Sequence, residues 1–316
     1  MTDVNFKDCE FITILPKLWA PNLENLNLSY CKNLVKLPKL WAPNLEDLNL
    51  SYCKNLVKLP KLWAPNLEHL NLSYCKNLVQ LPKLWAPNLE DLNLFYCENL
   101  VEIDECFGYL EKLRNWKLRD CIKLQFLPSQ LRLKSLHSFD LTDCSRLEKL
   151  PDFHQEMECL KDLYLSGSGI REVPSSIEHL TKLNKLYLHN CKNLRDLPDS
   201  ICKLRWLWEF WTSTTKLRQT CNSFDSSSEG YEFDLLMMPN YFPRLRILYL
   251  FETNTVTIPE SISRFPKLEI LFISNCKLLR EIQGLPRLMS IDREENCMLL
   301  DTQSASGLLN QVSLFL

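Results

Sequence analysis

A phrase of 22 residues repeats along the chain, and this period constrains the fold more than any other feature. The string LWAPNLENLNLSYCKNLVKLP at 18–38 recurs almost unchanged at 40–60 and 62–82, and a degraded copy begins at Leu84. Tryptophan and cysteine keep the same spacing, at Trp19, Trp41, Trp63 and Trp85 and at Cys9, Cys31, Cys53, Cys75 and Cys97. A fixed period of this length is typical of proteins built from stacked, equivalent units.

Each copy carries the frame Leu-x-x-Leu-x-Leu-x-x-Cys. Clear examples are Leu23-Leu26-Leu28-Cys31, Leu113-Trp116-Leu118-Cys121, Leu136-Phe139-Leu141-Cys144 and Leu183-Leu186-Leu188-Cys191, with weaker ones at Leu245-Leu248-Leu250 and Leu268-Leu271-Ile273-Cys276. This is the frame of the leucine-rich repeat, with cysteine where asparagine often stands. The alternation around the central Leu-x-Leu predicts a short strand that turns one face inward.

No single unit can bury its own leucines, but units stacked about 4.8 Å apart can. The sequence therefore predicts an α/β repeat fold. Roughly a dozen units form a curved leucine-rich-repeat solenoid, a horseshoe with a parallel β-sheet on its concave face and a mostly irregular or short helical convex side. Proline after Leu15, Leu37 and Leu59 fits a turn into the convex segment, where no sheet donor is needed.

Departures from the frame predict how the chain is divided. The expected segments are a truncated first repeat at 1–15, leucine-rich repeats at 16–211, a loop insertion at 212–243, further leucine-rich repeats at 244–297, and a carboxyl-terminal tail or cap at 298–316. The first repeat begins inside a strand without a capping element, which is the expectation for a piece of a longer protein. In the unit before the insertion, Leu204 and Leu207 are taken as the first two frame leucines, which puts Glu209 at the third.

Composition and motifs argue against catalysis and against several kinds of partner. The formal charge is -2 without a clustered basic stretch, so no nucleic-acid partner is expected. No apolar run approaches the roughly 18 residues of a membrane span, and the amino terminus lacks a signal peptide. No phosphate loop or His-Glu-x-x-His motif occurs. We therefore expect no enzyme activity, no cofactor, no metal and no small-molecule substrate.

The cysteine, tryptophan and tyrosine ladders are interpreted as structural. The chain has 14 cysteines, most of them on the repeat ladder, and side chains in register point the same way, which is poor geometry for a disulfide. They are expected to be reduced thiols. The Trp-Ala-Pro triplets predict a stacked ladder on the convex side. Tyr30, Tyr52, Tyr74 and Tyr96 follow the strands within duplicated sequence, so duplication explains them more simply than a ligand does.

Repeat solenoids usually bind partners on the concave sheet, where the residue between the two strand leucines points outward. Along the chain this column is assigned as Asn27, Asn49, Asn71, Asn93, Lys117, Asp140, Tyr164, Tyr187, Trp208, Tyr249, Phe272 and Asp292. The aromatic stretch, Tyr164, Tyr187, Trp208, Tyr249 and Phe272, is the candidate site for a protein partner, because aromatic side chains are enriched among interface hot spots. The alternative is that these rings only stack across neighbouring strands.

The phrasing of the repeats resembles a known family. LYLSGSGIREVPSSIEHLTKLNKLYLHNCKNLRDLPDSI at 163–201 is similar to the leucine-rich repeats of plant intracellular immune receptors, in particular the class with a TIR domain and a nucleotide-binding domain. The ending GLPRLMSIDREENCMLL at 284–300 looks like the last repeats of that class. The resemblance covers nearly the whole chain.

This resemblance implies a role in plant defence and disease resistance, in the cytoplasm or nucleus. It implies that the repeats sense a pathogen effector, or a host protein altered by one, and that they bind other domains of a full-length receptor to hold it inactive. The sequence contains neither TIR nor nucleotide-binding motifs, so signalling and nucleotide hydrolysis are not carried over.

Two other classes of binding protein stay open. An extracellular receptor ectodomain would show 24-residue units with Gly-x-Ile-Pro phrasing, and this chain has only 6 glycines. A leucine-rich-repeat adaptor of ubiquitin ligases also favours cysteine in its repeats, but no adaptor-binding helical segment is found near the start. In either alternative the ligand is another protein or a peptide.

Overall fold

The computed structural model describes residues 2–218, 234–284 and 290–293, the last of these as backbone only. The chain forms two compact units. The first comprises Met1–Leu163 with Ser168–Ile170, and the second comprises Tyr164–Gly167 with Arg171–Leu316. Among the described residues, no helix has the length and apolar character needed to cross a bilayer.

The first unit has a parallel sheet with one short strand from each repeat. Its strands are Asp3–Asn5, Asn25–Asn27, Asp47–Asn49, His69–Asn71, Asp91–Asn93, Asn115–Lys117 and Ser138–Asp140. The register steps by one repeat, so that Leu48 pairs with Leu26 on one side and with Leu70 on the other. Each strand is centred on the first of the two inward residues of the repeat frame, such as Leu26 in Asn25–Asn27.

The opposite side of the first unit returns each repeat through two-residue strands and turns. The strands are Leu18–Trp19, Leu40–Trp41, Leu62–Trp63, Leu84–Trp85, Gln130–Leu131 and Asp152–Phe153, and Glu105–Tyr109 forms a 3-10 helix. Trp19 stacks on Trp41 with ring centroids 4.0 Å apart, and Trp63 stacks on Trp85 at 5.7 Å. The predicted tryptophan stacking therefore occurs within these two pairs.

The frame leucines and cysteines fill the core of the first unit. Leu48, Leu50 and Cys53 are buried, and the Cys53 Sγ donates a hydrogen bond to the carbonyl oxygen of Leu28 in the preceding repeat, at 3.1 Å. Cys75 makes the same bond to Leu50 at 3.1 Å. Both are free thiols, and burial raises the pKa of Cys53 to about 12. The cysteines of this ladder are structural, as the sequence predicts.

The second unit has a parallel sheet of longer strands. They are Lys185–Leu188, Glu209–Thr212, Ile247–Phe251, Ile270–Ser274 and Ser290–Arg293, and a shorter strand, Asp162–Tyr164, lies where the two units divide. Leu186 pairs with Phe210, and Phe210 pairs with Leu248. All three side chains are buried, so this row is the counterpart of the leucine row in the first unit.

3-10 helices form much of the opposite side of the second unit. They span Ser175–His179, Asp199–Lys203, Leu235–Met237, Pro239–Tyr241 and Glu260–Arg264, and two-residue strands span Leu197–Pro198, Leu217–Arg218, Thr257–Ile258 and Glu281–Ile282. Proline precedes Ser175, Asp199 and Glu260, where it takes the extended backbone that starts the helix. The fold class predicted from sequence, a leucine-rich-repeat solenoid with a parallel sheet, is confirmed.

The repeat before the predicted insertion is out of register with its sequence assignment. Phe210 and Thr212 are the inward residues of its strand, so Leu207 is the first frame leucine and Glu209 does not stand at a leucine site. The predicted insertion at 212–243 begins inside this strand, and its Leu217–Arg218 segment pairs with Leu197–Pro198. Residues 219–233 and the predicted tail at 298–316 lie outside the described residues.

Candidate binding surface on the sheet of the second unit

An uninterrupted row of aromatic side chains covers the solvent-facing side of the parallel sheet in the second unit. Tyr187, Trp211, Tyr249 and Phe272 occupy equivalent positions on neighbouring strands. The ring of Tyr164 extends the row and lies 4.9 Å from the ring of Tyr187. All five side chains are half-buried. We call Tyr164, Tyr187, Trp211, Tyr249 and Phe272 the aromatic face.

The rings of the aromatic face contact one another from strand to strand. The centroid distance is 5.1 Å from Tyr187 to Trp211, 4.3 Å from Trp211 to Tyr249, and 5.5 Å from Tyr249 to Phe272. These distances are those of favourable aromatic pairs, each of which contributes about 0.5–1.5 kcal/mol beyond its buried area. The face is therefore held in place by its own contacts.

A second row of rings lies two residues further along the strands. The His189 ring is 5.1 Å from Trp211 and 6.0 Å from Phe251. Its Nδ1 is 2.8 Å from the Oγ of Ser166. This row widens the aromatic face towards the ends of the strands.

A buried carboxylate fixes two rings of the aromatic face. Glu209 is 8% exposed, and its Oε1 accepts hydrogen bonds from the Tyr187 hydroxyl at 2.6 Å and from the Trp211 Nε1 at 2.9 Å. The Nζ of Lys185 lies 3.8 Å from Oε2 and supplies a compensating charge. Hydrogen bonds to an ionised acceptor are stronger than neutral ones, so Glu209 holds both rings in defined orientations.

Four of the five residues predicted as the site lie where the sequence places them, namely Tyr164, Tyr187, Tyr249 and Phe272. The assignment of Trp208 to the column is wrong, because its repeat begins at Leu207 and not at Leu204. Trp208 precedes the strand, where its carbonyl accepts from the backbone N–H of Arg246 and Ile247. Its ring lies 5.2 Å from the Nζ of Lys185, at the edge of the face. Trp211 takes the central place.

The sequence also predicts His189 at an outward strand position, as a solvated surface residue, but does not assign it to the site, and it misses Glu209 and Phe251. His189 and Phe251 stand two residues after Tyr187 and Tyr249, so the strand period of two puts them on the same surface. Glu209 carries no such signal. Its partners come from Tyr187 of the preceding repeat and Trp211 of its own, and they become apparent only when the register is known.

The same column performs a different task in the first unit. The side-chain oxygens of Asn27, Asn49 and Asn71 accept from the backbone N–H two residues later, at 2.9 to 3.0 Å. Short polar side chains of this kind commonly bond to their own backbone and end a strand in a turn. The amide column therefore closes the strands.

The surface suits binding better than chemistry. Within residues 2–218 and 234–284, no group of three or more His, Cys, Asp or Glu side chains could hold a metal ion. The aromatic face offers large, rigid, amphipathic rings with few rotors to freeze on association.

Comparison with known families agrees with the repeat assignment. Residues 132–231 match a family described as "Disease resistance protein RPS4B-like, leucine-rich repeats", and residues 66–86 match the family "Leucine Rich Repeat". The first match includes Tyr164, Tyr187 and Trp211 of the aromatic face. Leucine-rich repeats of this kind are a non-catalytic fold that generally mediates protein binding.

Curated relatives and a solved structure extend the comparison. TMV resistance protein N of Nicotiana glutinosa is 35% identical over 176 residues, which is 55% of this chain and 14% of that protein. A probable disease resistance protein of Arabidopsis thaliana is 34% identical over 177 residues, 55% of this chain and 9% of that protein. The chain thus matches a small part of the length of these relatives.

Among solved structures, a leucine-rich-repeat protein of Leptospira interrogans covers 93% of this chain and 83% of its own, with a TM-score of 0.55 and 20% identity. At this identity the likeness supports the fold alone. The sequence matches carry the relationship, and they agree with the resemblance drawn from the repeat phrasing. The chain is a leucine-rich-repeat solenoid, and its repeats are similar to those of plant disease-resistance proteins.

Proposed function

We propose that this chain is the protein-recognition and autoregulatory module of an intracellular plant immune receptor, acting in the cytoplasm or nucleus. Its ligand is a pathogen effector, or a host protein that an effector has modified. The observation that carries this proposal is the aromatic face on the sheet of the second unit. Its relationship to plant disease-resistance proteins supports the biological setting.

The aromatic face is suited to tight binding because its rings are already ordered. Glu209 bonds to Tyr187 and Trp211, and the rings contact their neighbours on both sides, so little side-chain entropy remains to be lost on association. Ordering a rotamer-rich side chain at an interface costs about 0.5–1.5 kcal/mol. A partner that covers these rings gains their remaining apolar area without that cost.

The competing explanation is that the rings only stabilise the sheet. Cross-strand pairs contribute about 0.2–1 kcal/mol each, so stacking alone accounts for part of their presence. The two explanations differ in what an alanine substitution changes. A purely structural ring affects the free energy of unfolding, whereas a binding ring also affects the dissociation constant for a partner.

The autoregulatory part of the proposal concerns other domains of a full-length receptor. The chain matches about a tenth of the length of its curated relatives, so the proposed partner domains lie outside this sequence. An intramolecular partner and an effector that bind the same aromatic face would compete. Competition would link recognition to release of the receptor from its inactive state.

The experiment measures binding of the purified chain to a panel of pathogen effectors and host proteins by biolayer interferometry. Trp211→Ala and Tyr249→Ala are compared with Trp41→Ala, which removes an exposed ring on the opposite side of the first unit. The affinity for a binding partner should fall by about thirtyfold with either aromatic-face variant, which corresponds to about 2 kcal/mol, the size typical of a hot-spot residue. Trp41→Ala should leave the affinity unchanged. The proposed surface is refuted if partners bind with an affinity that neither Trp211→Ala nor Tyr249→Ala changes.

A further inference from the structure

A lysine-lined groove lies on the opposite side of the first unit from its sheet. Its volume is about 400 Å³, and it crosses successive repeats where the phrase Leu-Pro-Lys recurs. The lysines in its lining are Lys17, Lys36, Lys39 and Lys58. Leucine, proline and one isoleucine, Ile14, form the rest of the lining, including Leu37, Pro38 and Leu59, so the floor is apolar and the edges are cationic.

Stacking of the repeats brings these lysines together. Lys36 and Lys58 are 22 residues apart in sequence but form a parallel β-bridge, so their side chains leave the backbone on neighbouring rungs. Lys61 and Lys83 continue the series begun by Lys17 and Lys39 in the next two repeats. A basic patch formed in this way leaves no cluster in the linear sequence.

The cationic edges of the groove have no acidic counterpart. The four lining lysines are exposed, no carboxylate lies in the lining, and none of them forms an ion pair in the part of the chain that the structure describes. Other lysines of this unit are paired, such as Lys32 with Glu10 and Lys76 with Glu98. The groove therefore keeps an unneutralised positive charge on a chain whose formal charge is -2.

Like charges on neighbouring rungs repel one another. Side chains that leave a sheet about 4.8 Å apart interact by about 1 kcal/mol per pair of charges in water. Long side chains diverge and reduce this cost, but a bound anion would replace repulsion by attraction along the whole row. The charge arrangement thus favours a ligand that carries several negative charges in a line.

We propose that this groove is a second binding surface, separate from the aromatic face, which takes an extended acidic peptide segment of a partner protein. Acidic side chains of the peptide pair with the lysines of the edges. Small apolar side chains of the peptide cover the leucines and prolines of the floor. In an extended peptide, successive side chains point to opposite sides, so one segment can present both kinds of residue.

The lining favours a peptide over nucleic acid. Single-stranded nucleic acids are usually held by basic grooves with aromatic rings on which the bases stack. The lining of this groove contains no aromatic residue. Trp19 and Trp41, which follow Lys17 and Lys39 by two residues, stack on each other with ring centroids 4.0 Å apart and lie outside the lining. An apolar floor between cationic edges also suits a chain that enters a recess better than the flat surface of a membrane.

The test uses a fluorescein-labelled peptide of about 12 residues with the repeated sequence Glu-Leu-Asp, and its Gln-Leu-Asn counterpart as the neutral control. Fluorescence anisotropy with the full chain at about 50 mM salt measures both. The acidic peptide should bind saturably with a micromolar dissociation constant and weaken steeply at about 500 mM salt, where charges are screened. The neutral peptide should not bind.

Charge-reversed variants assign the binding to the groove. Lys36→Glu with Lys58→Glu should weaken the acidic peptide by at least about tenfold. Lys267→Glu with Lys277→Glu, which reverses two exposed lysines of the second unit, should change its affinity by less than about twofold. All four lysines are exposed, so the circular dichroism spectrum and the urea midpoint serve to show that both proteins fold.

Three results would overturn the proposal. The first is equal binding of the acidic and neutral peptides, and the second is equal loss in the two double variants. The third is tighter binding of a single-stranded oligonucleotide of about 12 nucleotides, or of vesicles containing phosphatidylserine, through Lys36 and Lys58. That outcome would assign the groove to phosphate groups instead. None of these results depends on the aromatic face, because that surface belongs to the other unit.

Discussion

Asn49 and Asn71 in the first unit hold the same sheet position as Tyr187 and Tyr249 in the second. The asparagines turn back and bond to the backbone of their own repeats, whereas the tyrosines contact rings on neighbouring strands. The inward rows on either side of this column are buried in both units. The frame therefore determines where a strand forms, and the residue between its inward positions determines what the strand offers to a partner.

The opposite sides of the two units differ in the same way. In the first unit, two-residue strands such as Leu40–Trp41 carry exposed rings and a lysine-rich edge. In the second unit, 3-10 helices such as Ser175–His179 follow a proline and bury an isoleucine, Ile177. Nearly identical copies thus generate rows of one residue type, and diverged repeats generate local clusters of different side chains. Each proposed surface follows from one of these two modes.

The largest effects are expected in the buried row that both units share. Leu48→Ala and Leu70→Ala should each lower the free energy of unfolding by about 2–5 kcal/mol, because each opens a cavity in a packed core. The two values should agree within about 0.5 kcal/mol, since both leucines have leucine neighbours in nearly identical repeats. Phe210→Ala in the second unit should cost about 3–5 kcal/mol.

Urea denaturation followed by circular dichroism measures all three variants. A difference of more than about 1 kcal/mol between Leu48→Ala and Leu70→Ala would show that duplicated sequence does not give equivalent environments, which would remove one side of the comparison.

Glu209→Ala should have the next largest effect, and only in the second unit. It leaves the Tyr187 hydroxyl and the Trp211 indole N–H without their acceptor, which costs about 1–3 kcal/mol. Urea denaturation followed by circular dichroism measures the loss. Glu209→Gln is the matched control, because it retains an acceptor oxygen and should lose less stability. Equal losses in the two variants would mean that the negative charge, rather than hydrogen bonding, orders the rings.

The cysteine ladder predicts how the first unit responds to alkaline pH. Burial raises the pKa of Cys121 to about 12, against about 8.5 for a thiol in an unfolded chain. Between these values the unfolded state loses a proton that the folded state keeps, so it binds fewer protons. The free energy of unfolding should therefore fall as pH rises above about 8.5, by up to about 1.4 kcal/mol per pH unit for this thiol, until about pH 12.

Denaturation curves between about pH 7 and 11 measure this slope. Cys121→Ala should make it shallower, and Leu124→Ala should lower stability at every pH without changing the slope, because Leu124 is buried but has no proton to lose. An unchanged slope in Cys121→Ala would show that this thiol does not contribute to the alkaline loss.

The sequence predicted the repeat fold well because every strand depends on the same physical requirement. A strand such as Asp47–Asn49 exists only if Leu48 and Leu50 are covered by the adjacent repeats, so the spacing of leucines determines its position. The assignment failed at Leu204, Leu207 and Phe210, which are spaced by three and therefore fit the frame in two registers. Only pairing of Phe210 with Leu186 decides between them.

The candidate surfaces were less accessible from the sequence. Tyr187 and Tyr249 stand at the expected position of the repeat. The role of Glu209, in contrast, depends on a hydrogen bond that it accepts from Tyr187 of another repeat. Lys36 and Lys58 could not be recognised as a cluster in the linear sequence, because 22 residues separate them. A feature that depends on one repeat alone can be predicted from the sequence of that repeat. A feature shared between repeats can be predicted only when the register in which the repeats pair is known.

The smallest effect is expected at the tyrosines that follow the strands of the first unit. Tyr52 has a positive φ of 60°, in the left-handed region where Asn is better tolerated, and Asn190 of the second unit has a φ of 58° at the equivalent turn. The Tyr52 ring stacks on Tyr30 at 4.4 Å and on Tyr74 at 4.3 Å. Tyr52→Asn should relieve backbone strain and lose this stacking, so the free energy of unfolding should change by less than about 1 kcal/mol.

Tyr52→Ala separates the two contributions, because it loses the stacking without the tolerance of Asn for a positive φ. Its free energy of unfolding in urea should lie below that of Tyr52→Asn by about 0.5–1 kcal/mol. If the two variants are equally stable, backbone strain plays no part at this turn, and the tyrosine would then be comparable to the asparagine of the second unit in its backbone cost. If Tyr52→Asn is less stable than the unsubstituted chain, the stabilisation by ring stacking exceeds the cost of backbone strain, and the duplicated tyrosines stabilise the first unit much as the aromatic face stabilises the second.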